Sequence, residues 1–393
     1  MIPNAPQLCG ALKEAQPHMQ AVILAGGNAT RLYPVTSGVP KPMLPLFDRP
    51  VMEHQIKLLA DHGIRDIIAT VSRAAVEIPG YFGDGSRWGV RIRYSVEDEP
   101  MGAAGGLKMI QDAIEGTFLV VSGDTVTDAD LTSAVALHRS SRAVATLLLY
   151  EMDDPTDCGL VRHGADGRVT GFLEKPRSTE VFTNTISAGI YVFEPDVLSC
   201  IPHQQYYDLG RQLVTSVLNN GDPVYGFRIP GYWCDVGNVH QYRNAHFAAL
   251  EGRLKLDLPA EHVGDGVWIG EGADIHPLAE ILAPAFVGRN ACVRRNATVG
   301  GRAVLGEGVV VSDGALVARS VIGRGSLVGS KTWVTDSILG GHQAIVEGEA
   351  VSDRVLIAPD QWSTLRHQAP EQIPSERNEP VPDRTSEVHR PAA

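Results

Sequence analysis

The residues best suited to chemistry lie within residues 24–45, which read LAGGNATRLYPVTSGVPKPMLP. Gly26 and Gly27 end a short apolar run at residues 21–24. There the backbone can turn sharply and approach a ligand with no Cβ in the way. Arg31 follows, then Lys41 between two prolines. Glycine N–H groups, with Arg and Lys side chains, can bind phosphate oxygens through charge-assisted hydrogen bonds. The spacing is not that of the P-loop, so the general phosphate motif adds no support. Two carboxylates also follow apolar strands: residues 118–121 lead into Ser122-Gly123-Asp124, and Phe172-Leu173 into Glu174-Lys175-Pro176. Open α/β sheets bind their ligands at such carboxyl ends. The plain alternatives are that Asp124 caps the next helix and that Glu174 and Lys175 form a solvated pair of little worth.

These groups need a scaffold to hold them. Residues 21–24 have the length and composition of a buried strand. Residues 50–62 read as a helix with Met52, Ile56 and Leu59 on one face and Gly63 at its end. His54 on that helix reads as structural. Residues 67–71 form the next strand, and strand–helix–strand order predicts a parallel sheet with helices outside. Residues 99–108, EPMGAAGGLK, make a second small-residue loop entering a helix. Asp128 and Asp130 read as helix-start and surface residues. Asp235, within YWCDVGN, precedes a helix with Asn238 as N-cap and Gly252 as stop.

The whole run at residues 24–45 resembles the signature of the sugar nucleotidyltransferases (NDP-sugar pyrophosphorylases), L-A-G-G-x-G-T-R-L-x-P-L-T followed by P-K-P-M. Ala29 departs from it, standing where the family has a third glycine. PVMEHQI at residues 50–56 looks like the mannose-1-phosphate guanylyltransferase branch. The resemblance implies a Rossmann-like, GT-A-like α/β domain over residues 19–255. In it an NTP and a sugar 1-phosphate, or a sugar-like cyclitol phosphate, react with Mg2+ as cofactor. It implies catalytic roles for Arg31, Lys41 and Asp124, and metal ligation by Asp124 and Asp235. Substrate contacts are implied for Leu24, Ala25, Gly26, Gly27, Thr30, Gly102, Gly105, Glu174, Lys175, Ser187 and Gly189. Ser187 replaces the Asn of the family's N-A-G-I-Y strand, which bears on the sugar accepted. GTP is the preferred nucleotide, with UTP and dTTP as alternatives. A rival reading, prompted by Ala29, is a regulatory homologue that binds NDP-sugars without making them.

Past Leu258 the texture changes. Apolar residues recur every sixth position from Val263 and Ile269 to Leu305, Val311 and Val317. After one slip they resume at Ile322, Val328 and Val334, and after a second at Leu339, Ile345, Val351 and Ile357. Helical periodicity cannot produce this, whereas the hexapeptide repeat of a parallel β-helix does, here with about five to six coils. Left-handed coiling over residues 263–358 is what the hexapeptide family implies. No residue assigned to chemistry lies beyond Asp235. The repeats are therefore expected to serve assembly or regulation of a homo-oligomer (dimer or tetramer). A chain ending after Gly252 should then keep residual activity if it stays folded. A third reading makes His276 or His342 the base of an acyltransferase.

The rest of the composition is unremarkable for a globular chain of 393 residues: 20% charged and 44% hydrophobic. A formal charge of −12 argues against a nucleic-acid surface. No apolar run approaches the roughly 20 residues of a membrane helix. Five scattered cysteines without metal-ligand spacing read as reduced thiols in a cytoplasmic protein. Residues 1–18 lack the pattern of a secretory signal and read as a peripheral extension. Residues 359–393, rich in Pro, Glu, Arg and Ser, are expected to be disordered.

Overall fold

The computed structural model describes residues 19–27, 39–358 and 361–364. Ala29, Thr30, Arg31, the extension at 1–18 and the chain after Thr364 lie outside the described residues.

The first half of the chain builds the parallel part of a mixed sheet. β1 (Gln20–Ala25) pairs in parallel with β2 (Asp66–Ser72), and β2 with β3 (Arg91–Glu97). On its other side β1 pairs in parallel with β4 (Phe118–Ser122). β1 is almost wholly buried, as suits a central parallel strand covered on both faces. Helices α1 (Val51–Asp61) and α2 (Gly102–Met109) supply crossovers. After the short β5 (Thr125–Thr127) and α3 (Leu131–Ser140) come β6 (Ala145–Glu151), β7 (Gly159–His163), β8 (Val169–Glu174) and β9 (Thr185–Phe193). The segments joining β6 to β9 lack the long helical crossover that parallel pairing requires. β9 accordingly runs antiparallel to β4, β6 and β7. With β10 (Val224–Arg228) the sheet has nine strands. The expected parallel pairing is thus realised along β3, β2, β1 and β4 and again between β10 and β6, while β7, β8 and β9 join antiparallel.

β11 (Trp233–Asp235) pairs antiparallel with β5, and α4 (Val239–Leu250) follows. Asn238 caps α4, accepting from Gln241 N at 2.9 Å. Asp130 caps α3, accepting from Ser133 N at 2.9 Å. Asp128 ties two segments together instead, accepting from Tyr232 N at 2.6 Å and Lys255 N at 3.1 Å.

Beyond α4 three parallel sheets wind into a triangular β-helix. The first face runs from Val267–Ile269 to Arg354–Ala358, the second from Asp274–Ile275 to Ala344–Ile345, the third from Glu280–Leu282 to Ala350–Ser352. The sixfold pattern is the inward column: Val287, Val299, Leu305, Val317, Val334 and Val351 are each at most 3% exposed. The step from Val287 to Leu305 spans eighteen residues, whereas those to Ile322, Leu339 and Leu356 span seventeen. Every later coil therefore shortens one corner, and Leu356 closes the column where the spacing predicted Ile357. At those corners Ser320 Oγ accepts from Ser337 N (3.0 Å) and Ser337 Oγ from Arg354 N (3.1 Å). Val263 is not in the column: it is 53% exposed on Glu261–Gly264, which pairs antiparallel with the first strand. Gln361–Thr364, placed by composition in the disordered tail, is a strand antiparallel to Arg354–Ala358. A solenoid's end strand offers a row of unpaired N–H and C=O groups, and this segment covers it.

The β-helix is not a free-standing appendage. The outward side of its first face buries Phe286, Val304, Val321, Ile338 and Val355 in one core with Leu44, Leu46, Phe47, Val51 and Tyr242. α4 lies between the two halves. Leu250 sits beside Gly266 in the first coil, Arg302 stacks on Phe247 with 5.2 Å to the ring centroid, and Arg243 Nη1 donates to Asp336 O at 3.0 Å. The β-helix and the first half of the chain therefore share one core.

Two histidines lock the hairpin at residues 45–50 into that core. His54 Nε2 donates to Leu46 O (3.0 Å); His246 Nδ1 donates to Tyr242 O (3.0 Å) and its Nε2 accepts from Phe47 N (3.4 Å). Burial pushes each imidazole down to about 4. Unfolded, each takes its proton near pH 6.5; folded, it resists until about pH 4. Stability is thus full above pH 6.5 and drains as pH falls toward 4, by roughly 3 kcal/mol per histidine at most. The melting temperature should drop across that window, and His54→Gln should flatten the slope between pH 6.5 and 5. An unchanged slope in that variant would exclude His54 as a contributor. Among the described residues no helix is long and apolar enough to cross a membrane.

Candidate active site

Asp124 sits in the turn between β4 and β5, and Asp235 lies opposite Thr125 across the β5–β11 ladder. The turn and the facing strand thereby aim two carboxylates at one point. Lys41 arrives from the other side on a single 3-10 turn, Lys41–Met43. Its Nζ bonds Asp124 Oδ2 and lies 3.1 Å from Asp235 Oδ1. Burial works against the Lys41 ammonium, but the two carboxylates outweigh it and its pKa ends above the ordinary lysine value. Burial likewise raises Asp124, and Lys41 with the Ser122 hydroxyl more than reverses it. Ser122 Oγ donates to Asp124 Oδ1 at 2.6 Å and fixes its rotamer. Gly123 must be glycine here: a Cβ would come within 2.7 Å of Leu24 O, the acceptor of the Gly123 N–H at 2.8 Å. That contact sets Leu24 and Ala25, at the end of β1, beside the turn that carries Asp124.

Two carboxylates converging on one cation offer oxygen donors alone. This suits Mg2+, which takes one or two carboxylates and completes its shell with phosphate oxygens and water. Among the described residues no group of three or more His, Cys, Asp or Glu could hold a metal.

A second set of groups lies at the end of β8. Lys175 has φ +47°, a left-handed conformation costly for a long side chain, and its N–H bonds Cys158 O at 3.1 Å. The Glu174 carboxylate is wedged between Gly159 and Gly210, where a Cβ would lie 2.7 and 2.5 Å from its Oε2. Burial raises the Glu174 pKa and Asp208 raises it further, against Lys175 and Arg211. Ser187 Oγ donates to Tyr191 Oη at 3.1 Å inside β9. Between them Gly189, at φ +68°, bulges the strand toward Ser122.

Gly102 and Gly105 are small for a reason the sequence did not disclose. A Cβ would lie 2.6 Å from Tyr207 O at Gly102 and 3.1 Å from Gln205 O at Gly105. The Ala104 and Gly105 N–H groups both donate to Tyr207 O, at 3.0 and 3.1 Å. Here the glycines admit the 205–207 segment against the start of α2, and those two amides are already engaged. Arg31 and Thr30 lie outside the described residues. His276 Nδ1 accepts from Leu278 N at 3.0 Å, and His342 has φ +59° at a corner, so both serve β-helix turns.

Sequence reasoning missed Glu97, the last residue of β3, which is 8% exposed. Its Oε1 lies 3.2 Å from the Cβ position at Gly26 and 2.7 Å from that at Gly106. Oε2 accepts from Met101 N at 3.3 Å. Burial raises its pKa, and the Met101 N–H partly offsets this. The signal was the one that found Asp124, an acidic residue at the carboxyl end of a parallel strand. It was masked by Asp98 and Glu99, which extend it into an acidic run.

Residues 20–252 match the model of a family described as nucleotidyl transferase. A UTP–glucose-1-phosphate uridylyltransferase of Synechocystis sp. is 38% identical over 286 residues, 69% of this chain and 74% of that protein. A mannose-1-phosphate guanylyltransferase of Mycobacterium tuberculosis is 34% identical over 273 residues, 69% of this chain and 75% of that protein. A solved structure described as a glucose-1-phosphate thymidylyltransferase from Bacillus anthracis, in complex with a sucrose, aligns at a TM-score of 0.53 and 26% identity. That alignment covers 59% of this chain and 95% of the other.

Proposed function

We propose that this chain, which belongs to the nucleotidyl transferase family, is a Mg2+-dependent sugar-1-phosphate nucleotidyltransferase that uses GTP. The observation that carries the reaction is the meeting of Lys41, Asp124 and Asp235 beside the end of β1. In the reaction, a phosphate oxygen of the sugar 1-phosphate attacks the α-phosphorus of the nucleotide. The new P–O bond forms as the bond from the α-phosphorus to the bridging oxygen breaks, and pyrophosphate leaves with the electron pair. No covalent enzyme intermediate is needed, so the protein's work is alignment and charge neutralisation. Asp124 and Asp235 would hold Mg2+, which supplies charge stabilisation to the transferring phosphoryl group. Lys41, kept protonated by the two carboxylates, steadies the triphosphate, and Arg31 is assigned the same task. Glu174 takes sugar hydroxyls and Lys175 the sugar phosphate; a cyclitol phosphate of similar shape is the alternative acceptor.

The relatives include both uridylyl- and guanylyltransferases, so the base is argued from Glu97. An ionised carboxylate only accepts hydrogen bonds. Guanine presents N1–H and the N2 amino group side by side, a match for two carboxylate oxygens, whereas uracil and thymine offer one N–H flanked by carbonyls. Glu97 therefore favours GTP. The test is a grid of nucleoside triphosphates against sugar 1-phosphates, read by pyrophosphate release. Wild type should prefer GTP, and Glu97→Gln should lose roughly 10–100-fold in GTP kcat/KM while UTP or dTTP use is unchanged or improved. A wild-type preference for UTP, or equal losses on all nucleotides in the variant, would refute this reading of the base.

A further inference from the structure

Gln55, in α1, is 3% exposed and belongs to none of the groups assigned above. Its Nε2 donates to Ser122 O and, at 2.7 Å, to Thr125 O. These are the last carbonyl of β4 and the first of β5, and they bracket Gly123-Asp124. With two acceptors in front of it, the amide can only present its NH2 to them. Oε1 is left buried with no hydrogen-bond partner among the described residues, a state that native structures keep rare.

We infer that Gln55 is a positioning residue for the transfer centre: from α1 it sets the spacing between Asp124 and Asp235. Outside the strand ladders, the main-chain bonds at the turn are Gly123 N to Leu24 O (2.8 Å) and Val236 N to Asp124 O (3.0 Å). Neither reaches the Ser122 or Thr125 carbonyl. Gln55 grips both, so it fixes the exit of β4 before Asp124 and the start of β5 behind it. Thr125 is in turn the cross-strand partner of Asp235. One side chain thus governs the backbone under both carboxylates, and α1 joins the reaction centre although it contributes no group to it. The inference rests on the proposed reading that the two aspartates share a divalent cation.

The test uses the full chain and two variants of nearly equal shape, Gln55→Met and Gln55→Glu. Each is confirmed folded by a cooperative melting transition. Mn2+ binding, alone and with pyrophosphate, is followed by electron paramagnetic resonance, and kcat and KM are measured with Mg2+. Gln55→Met is expected to weaken Mn2+ binding and lower kcat by roughly 10–100-fold, as loss of a ligand-orienting partner does. KM for the sugar 1-phosphate should stay within about twofold, since the β8 groups are untouched. Gln55→Glu turns oxygens toward two carbonyls and should bind Mn2+ more weakly still at pH 8. Wild-type Mn2+ affinity and kcat in either folded variant would overturn the inference. So would a rise in sugar-phosphate KM equal to the fall in kcat, the mark of general loosening. Wild-type protein that binds no Mn2+ would instead refute the metal reading itself, and the inference with it.

Discussion

Asp124→Asn and Asp235→Asn are each expected to lower kcat by roughly 10²–10³-fold at saturating Mg2+ while leaving the protein folded. The size follows from what is lost. Each substitution keeps the shape of the side chain and removes one of two negative charges that meet at a single point. Charge stabilisation of a transferring phosphoryl group is worth several kcal/mol, and each 1.36 kcal/mol is tenfold in rate. Asp124→Asn should be the more damaging, because Asp124 also receives the Ser122 hydroxyl and holds Lys41 more closely. Lys41 would then lose the larger of its two charge partners, so its pKa should move back toward the ordinary value. The check is pyrophosphate release under saturating substrates, beside melting curves. Near-normal turnover in either variant would remove that aspartate from the centre.

Ending the chain after Gly252 is expected to abolish soluble, active protein rather than leave a working catalytic domain. The shared core decides this. Without the β-helix, Leu44, Leu46, Phe47 and Val51, each at most 1% exposed in the whole chain, lose the face that covers them. Burying such side chains is worth about 1.5–3 kcal/mol apiece. For the four side chains that sum, about 6–12 kcal/mol, rivals the roughly 5–15 kcal/mol by which a domain is stable at all. A milder probe is Phe286→Ala, which removes the ring packed at 5.0 Å against Phe47. It should cost about 3–5 kcal/mol, read from the denaturation midpoint. Truncated protein that stays monomeric, folded and active would show the two halves to be independent after all.

Much of this was legible in the residues. The inward column of the β-helix could be counted because each side of the triangle returns an apolar residue at a fixed step. The strand end bearing Asp124 could be found because an apolar run followed by a carboxylate is a local pattern, whereas Asp235 was found only through the resemblance of its segment to a family motif. The docking of the two halves was harder to see. Its residues, Phe286, Val304, Val321, Ile338 and Val355, stand one place before the column residues and only on every third side. A sixfold search therefore passes over them. Gln55 was missed for a different reason: its partners are backbone atoms brought near only by the folded sheet. No spacing within one segment encodes such a meeting. The antiparallel half of the sheet likewise depended on an absent helix, which is weaker evidence than a present one.

α4 also has a length. Its twelve residues make a rod of about 18 Å. The first face of the β-helix, from Val267–Ile269 to Arg354–Ala358, stacks six strands over about 24 Å. The rod reaches from beside Gly266 in the first coil to Asp336 in the fourth, its arginine extending the span. Helix and solenoid therefore measure each other. Duplicating one seventeen-residue coil would raise the stack by about 4.8 Å, and covering its outward apolar residue would take about three more residues of α4. A lengthened solenoid without a lengthened helix would carry a bare greasy rung at its far end. The number of coils in this chain is thus tied to one helix in the other half of the molecule, and the two must grow or shrink together.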